Sequence, residues 1–406
     1  MTATTPNDVW VTGVGLLSAA GEGVDAHLAA FDAPDAPRLY DEHAFAPYPI
    51  HPLASVDMGR QIPKKSDLRQ MEPWQRIGVY AAGLALDDAG IKGDAALLAR
   101  THLVVAAGSG ERDTTVDAKL LDAISSRDDT EVLAKEILPT ALRPTLFLAQ
   151  LSNLLAGNIS IVHNVTASSR TFMGEEMAGL SAIENAFRRI GAGQADVILV
   201  GGALNAERKD LLLGYELGCN LWAHPYQSVW QRRAAGGGFV PGSAGAFLVL
   251  ESRTHAEARG RSPYARIASV LSDHALRSEP GQIRRTLGQL FRRTSIGSPS
   301  GPLALLSGAS GAEPATSEEL DFLDDLDADQ FTPATRAYGN RLGHTVEAHF
   351  PLGVALAALA VKRAAFFPAS DAGRVEDELD SSLERALVTS VGHWRGEGLA
   401  LIERAG

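Results

Sequence analysis

Residues 164–203 read NVTASSRTFMGEEMAGLSAIENAFRRIGAGQADVILVGGA. The stretch TFMGEEMAGL (171–180) has the form of a sharp turn that enters a helix and feeds a side chain into a pocket, with Gly174 free to take the backbone angles such a turn demands. The run ADVILVGGA (195–203) reads as a strand, a continuous Val, Ile and Leu sequence closed by glycine, as expected of a strand buried on both faces. Turn, helix and strand in that order raise the question of which residue at the turn could be reactive.

Working outward, VWVTGVG (9–15), HLVVAAGSG (102–110), LALLSGASG (303–311) and ALVTSVG (386–392) repeat the same short apolar form ending in glycine. Helical patterns lie between them. The clearest is MEPWQRIGVYAAGLALDDAGI (71–91), where Trp74, Ile77, Ala81 and Leu84 fall on one face and Gly90 follows as a C-cap. Strands alternating with helices imply an α/β architecture with parallel pairing. Two passages echo each other: GGFVPGSAGAFLVLE (237–251) and GHWRGEGLALIE (392–403) each place a glycine-rich turn before an apolar strand ending in glutamate. Each would close one half of a chain whose 406 residues exceed the usual reach of one simple core. The acidic segments 111–136 and 313–330 read as surface excursions.

Apolar residues make up 45% of the chain and charged residues 21%, and mean hydropathy is near zero, which fits a compact globular protein. No run approaches the roughly 18 apolar residues of a membrane span. The opening MTATTPNDVWVTGVGLL has no basic segment before its apolar one, so a cytoplasmic protein without membrane insertion is expected. A formal charge of −12 argues against a nucleic-acid partner. The single cysteine, Cys219, excludes an internal disulfide framework and any cysteine-cluster metal site.

Without a gap, 164–203 resembles the nucleophile-elbow region of the β-ketoacyl-acyl-carrier-protein synthases, whose pattern runs G-x-x-G-P-x-x-T-x-x-T-A-C-A-S-G, then a helix, then a strand ending in two glycines. Thr171, Gly179, Ala182, Ile183, Ala186, Asp196, Gly201 and Gly202 fall in register. VWVTGVGLLSAAGEGVDAHLAAF resembles the family's opening strand, turn and helix, and MEPWQRIGVYAAGLALDDAGI its second helix. GGGFVPGSAGAFLVLE resembles its G-F-x-x-G-E-G-A strand, and GHTVEAHFPLGVALAAL its G-H-x-x-G-A-A-G helix. The resemblance covers nearly the whole chain. It implies a thiolase-like five-layer αβαβα sandwich of two topologically similar halves, 1–255 and 256–406.

The departures fall on the chemical positions. Condensation needs a thiolate to accept the acyl group and two histidines to polarise the malonyl thioester. In the ungapped register Glu176 holds the nucleophile position, and a glutamate cannot take that role. LLSGASGAEP puts Ala309 where the family's first histidine stands, and alanine has no side-chain donor or acceptor. His344 in RLGHTVEAH retains the second histidine. Gly339 stands at the family's lysine offset, with Arg336 and Arg341 as nearby basic candidates. In the gate, GHWRGE places His393 at the phenylalanine and Glu397 at the asparagine of G-F-G-G-T-N.

Blander readings stand beside these. Glu176 would stabilise a helix N-terminus, form a buried pair with His344 or an arginine, or act in decarboxylation. Cys219 would be a small buried apolar residue. Serine catalysis from Ser168 or Ser169, near His163 and Asn164, is disfavoured because both lie well before the elbow. The doublets Arg232-Arg233, Arg284-Arg285 and Arg292-Arg293, with Lys64, Lys65 and Arg69, are ordinary surface charges unless one of them docks an acidic carrier protein.

The resemblance therefore implies a ketosynthase-like subunit in acyl-carrier-protein-dependent fatty acid or polyketide elongation, non-condensing and similar to a chain-length factor. TFMGEE with KKSDLRQMEPWQR also resembles ketosynthase-like proteins of α-proteobacterial clusters for the very-long-chain acyl groups of lipid A. Alternatives are a malonyl-carrier decarboxylase or other acyltransferase using Glu176 and His344, and a homodimeric acyl-carrier or lipid-binding scaffold. Expected partners are an acyl carrier protein and a ketosynthase homologue or a second copy, with Phe172 and Met173 at the dimer interface. No cofactor and no metal are implied.

Overall fold

The computed structural model describes the chain except residues 1–4, 34–35, 38, 144–145, 295, 297–302, 329–330, 332, 372–374, 380 and 406. The strands are β1 (Val9–Ser18), β2 (Gly21–Glu22), β3 (His102–Ala106), β4 (Ser169–Phe172), β5 (Val197–Leu204), β6 (Ala244–Ser252), β7 (Ala265–Asp273), β8 (Leu303–Ser307), β9 (Pro333–Ala337), β10 (Arg385–Val391) and β11 (Glu397–Glu403). All five glycine-ended runs are strands.

The strand order β4-β3-β5-β6-β1 is repeated as β9-β8-β10-β11-β7. The directions repeat too: in each set the first three strands run parallel and the next two pairings are antiparallel. The two echoing passages supply β6 and β11, which occupy equivalent places. β1 and β7 also pair over Val9↔Ile267, Trp10↔Arg266 and Val11↔Ala265, so the two sheet layers are joined edge to edge into one hydrogen-bonded set of 11 strands.

Alternation along the strands builds the layers. In β5, Ile198 and Val200 face an inner core while Val197 and Leu199 face an outer one; in β10, Ala386 and Val388 point inward and Leu387 outward. The inner core takes residues from both strand sets and closes on helices Glu176–Gly191 and His349–Lys362, through Leu180, Ile183, Leu352 and Leu356. One outer core lies under helix Pro73–Asp88, through Trp74, Ile77, Ala81 and Ala85. The other lies under helices Gln282–Arg293 and Ala315–Ala328, through Leu287, Leu290, Phe322 and Leu326. Helix, sheet, paired helices, sheet and helix make the five layers of the thiolase-like fold.

Helix Pro73–Asp88 starts at a proline with a Glu72–Gln75 capping box and stops before Gly90, whose φ is +63°. Its burial is wider than the expected single face: Val79, Tyr80, Ala82 and Ala85 are buried, and Leu84 is only partly so. The reason is close packing on β1. A Cβ on Gly15 would stand 2.1 Å from the Ala81 carbonyl oxygen, and one on Gly13 2.6 Å from that of Ala85.

The acidic segment 313–330 is not a surface excursion. Helix Ala315–Ala328 buries Phe322, Leu323 and Leu326, Glu318 accepts from the Gly281, Ile283 and Arg284 amides at the start of the neighbouring helix, and Glu319 accepts from Ser307 and Thr389. Segment 111–136 does carry mainly exposed helix. Among the described residues no helix is long and apolar enough to cross a membrane.

Candidate functional site

Strand β4 ends at Phe172, Gly174 takes φ +127°, and Glu175 takes φ 51° with ψ −132° as the N-cap of helix Glu176–Gly191. The strained residue is thus Glu175, one before the expected elbow position. Such backbone costs on the order of 1–3 kcal/mol and persists where the surroundings fix it. The Glu175 carboxylate turns outward to Arg395 at 3.4 Å. Glu176, the first helical residue, turns inward.

Glu176 is 3% exposed, and its Oε1 accepts from His393 Nδ1. His344 Nε2 stands 3.8 Å from the same oxygen. The expected partners were His344 or an arginine; His393 is the nearer, because the turn after β10 swings its ring under the helix N-terminus. Gly392 permits this: a Cβ there would lie 2.1 Å from the Arg395 carbonyl oxygen and 3.2 Å from Glu176 Oε2. Aromatic rings enclose His393, with Phe239 at 4.5 Å, His344 at 5.0 Å and Tyr215 at 5.6 Å between centroids.

His344 follows Gly343, whose φ is +69°, and its Nδ1 accepts from the Val346 amide at 3.4 Å. Burial, with His349, His393 and Arg232 nearby, holds its pKa well below the usual histidine value, so the ring is neutral at pH 7. His349 lies 4.0 Å from His344 between ring centroids, and burial lowers its pKa to about 3. Glu347, on the turn between them, is pushed up to about 7 by burial and by the carboxylates of Glu176 and Glu175. Its Oε1 lies where a Cβ on Gly108 would come within 2.3 Å. His344 Nε2, His349 Nε2, His393 Nε2 and Glu347 Oε2 are buried without a hydrogen-bond partner.

His349 and Glu347 were not singled out in the sequence, although the signal was present: they stand where the resembling G-H-x-x-G-A-A-G pattern has small residues. The other expected residues scatter. Ala309 is buried in the outer core cluster that includes Val229 and Leu305, and its methyl group offers no donor or acceptor. Glu397 is fully buried but pairs with Arg277 at 2.9 Å and accepts from the Ala275 amide, so it meets the pocket only through Arg277, which also donates to the His393 carbonyl. Neither basic candidate stands in for the missing lysine: Arg336 donates to the Phe367, Thr335 and Asp377 carbonyls, and Arg341 to those of Ala30 and Ala33. Cys219 is exposed with φ 53° on the loop after helix Lys209–Leu217, not buried.

Arg232 is also corrected, from a surface charge to a 1% exposed guanidinium donating to the carbonyls of Gln227, Ser228, Gly238 and Ser310. Arg284 pairs with Asp325, and Arg285, Arg292, Arg293, Lys64, Lys65 and Arg69 are exposed. His163 is buried, bonding the Val79 carbonyl. Phe172 packs partly against the inner core, and Met173 is 64% exposed beside the open edge of β4.

None of the described bonds of Glu176, His344 and His393 reaches a thiol, hydroxyl or amine. The arrangement is a carboxylate held at a helix N-terminus between two imidazoles, able to accept protons or bind a cation.

Comparison with known proteins bears on this geometry. The family described as "Beta-ketoacyl synthase, N-terminal domain" matches residues 54–256, half of the chain. The 3-oxoacyl-[acyl-carrier-protein] synthase 2 of Vibrio cholerae is 27% identical over 265 residues, spanning 64% of this chain and 61% of the relative. The match thus covers about three fifths of that relative's length. The tetracenomycin polyketide synthase ketoacyl synthase beta subunit of Streptomyces glaucescens is 25% identical over 288 residues, spanning 68% and 66% of the two chains. Among solved structures, the ishigamide ketosynthase/chain length factor superposes with a TM-score of 0.78 at 20% identity, covering 98% of this chain and 99% of that one. A type II polyketide ketosynthase in complex with its acyl-carrier protein, AntDE:AntF, superposes with a TM-score of 0.71 at 17% identity, covering 98% and 99%. With its repeated strand order, its elbow and its retained His344, the chain belongs to the β-ketoacyl synthase family.

Proposed function

We propose that this protein is a non-condensing, chain-length-factor-like subunit acting on acyl-carrier-protein thioesters in fatty acid or polyketide elongation in the cytoplasm. Its partners are an acyl carrier protein and either a cysteine-containing ketosynthase or a second copy of itself. Its two halves divide at residues 255 and 256. The observation that carries the reading is the Glu176 carboxylate, which occupies the elbow pocket and bonds His393 where condensation needs a free nucleophile. Ala309 in the outer core and an exposed Cys219 add support. So does the likeness to a ketoacyl synthase beta subunit.

The test incubates the purified protein with acyl-carrier thioesters and measures its intact mass. No covalent acyl adduct is expected, and an adduct at any residue overturns the reading. Carbon dioxide release from malonyl-carrier protein, abolished by Glu176→Ala, would instead establish a decarboxylase. Co-purification with a cysteine-bearing homologue separates the heterodimer from the self-paired scaffold. An Arg170→Glu, Met173→Asp variant is expected to lose either partner; an unchanged assembly mass in a soluble variant places the interface elsewhere.

A further inference from the structure

We propose that Glu176, His344 and His393 form a binding site for a single divalent transition cation of the zinc, cobalt or nickel class. The three residues come from segments far apart in the chain, which is why no local motif announced them; the single cysteine excluded only thiolate clusters. Each offers one ligand atom, and these atoms all lie within 4.8 Å of one another among buried side chains. Two imidazole nitrogens and one carboxylate oxygen are a donor set suited to these metals, and three protein ligands leave a further coordination position open.

Two features point to a cation. A buried carboxylate needs a compensating positive charge, yet no lysine or arginine bonds Glu176 in the described structure, whose partners there are the two imidazoles. In addition, His344 Nε2 is buried, without a hydrogen-bond partner, and stands 3.8 Å from Glu176 Oε1. Two ligands at bond lengths of about 2.1 Å around a tetrahedral ion are about 3.4 Å apart, so the 3.8 Å spacing has only to close by a few tenths of an ångström. His393 has to rotate slightly away from Oε1 to reach the same spacing, and ligation through Nδ1 transfers its ring proton to Nε2. Ligation through Nε2 also puts the His344 ring proton on Nδ1, facing the Val346 amide, and that 3.4 Å contact must open by a small ring movement. Both adjustments are rotations of a ring about its own side-chain bonds and leave the backbone in place.

This inference does not rest on the non-condensing reading, since metal uptake is measured without acyl substrate. The full chain, purified without a histidine tag and stripped of metal, is titrated with Co2+ and followed by its visible absorption, with Zn2+ as competitor. One saturable cation per chain is expected, displaced by Zn2+ and not by Mg2+, together with a rise in melting temperature by mass action. Glu176→Gln and His393→Phe should each weaken Co2+ binding at least about tenfold, the loss that even an outer-shell partner causes. His43→Gln, at an exposed histidine, should leave it unchanged. Absence of a saturable signal or melting shift in the folded wild type overturns the proposal, as does an unchanged affinity in both site variants.

Discussion

Glu176 and His393 lie 217 residues apart in the chain, yet the imidazole Nδ1 of one bonds the carboxylate of the other inside the pocket. The pair joins the start of an inner helix in the first half to the turn between β10 and β11 in the second. Both side chains are buried at that contact.

The pair should therefore behave as a coupled unit. Glu176→Ala and His393→Phe are each expected to destabilise the protein by about 1–3 kcal/mol, because each strands a buried polar partner. The double variant should cost at least about 0.5 kcal/mol less than the sum. Urea unfolding of the four proteins measures this; strict additivity would mean that the bond carries no coupling.

Two glycines should respond with opposite sign to the same substitution. Gly15→Ala drives a Cβ to 2.1 Å from the Ala81 carbonyl oxygen, so β1 and helix Pro73–Asp88 must separate, at a cost of about 3 kcal/mol. Gly214 lies in helix Lys209–Leu217 with nothing within 4 Å of a Cβ, and Gly214→Ala should stabilise by about 0.5–1 kcal/mol. Thermal unfolding of both variants checks the pair of signs.

Glu347 should make stability fall with rising pH. An unperturbed glutamate titrates near 4.5, and burial holds this one up to about 7. Between those values the folded state keeps a proton that the unfolded state has lost, so stability drops across that window and stays reduced above it. The loss is on the order of 3 kcal/mol. His344 and His349, with lowered values, act with the opposite sign, so the readout is the difference between Glu347→Gln and wild type at each pH. That difference should grow in favour of the variant from pH 5 to pH 8; a flat difference would contradict the assignment.

Arg232 and Arg285 should separate cleanly. Arg232→Ala removes four carbonyl contacts from a 1% exposed site and should cost about 3 kcal/mol or more. Arg285→Ala at an exposed position should change stability by less than about 0.5 kcal/mol. Denaturant midpoints compare them directly.

Five strands were legible because each carries its own apolar run and closing glycine, as Val197–Leu204 does, and β6 and β11 from the glycine-rich turn before each; β9, PATRA, carries neither signal. Strand β7, ARIASVLSD, was not legible either: its serines and Arg266 break the apolar run, and it forms by pairing with β1 and β11. Glu176, His344 and His393 were found from their places in a resembling pattern. What the pattern could not supply was who bonds whom, since His393 meets Glu176 only after two remote segments close on the same helix end. Arg232 and Cys219 went astray because burial is a property of the surrounding loops. Nothing in an arginine doublet tells which guanidinium finds carbonyls at Gly238 and Ser310.

Helices Glu176–Gly191 and His349–Lys362 run through the inner core, and the first begins at the pocket itself. Amide protons along these helices are consequently expected to exchange with solvent only when the whole domain opens. The pocket's other wall, the short turn Gly392–Gly396, is packed as closely: its ends are tied by the Gly392 amide donating to the Gly396 carbonyl, and a Cβ on Gly396 would lie 2.0 Å from Met177 Cγ. Side chains larger than hydrogen are thereby excluded from both ends of the turn that carries His393, so the imidazole is held in place by what its neighbours lack.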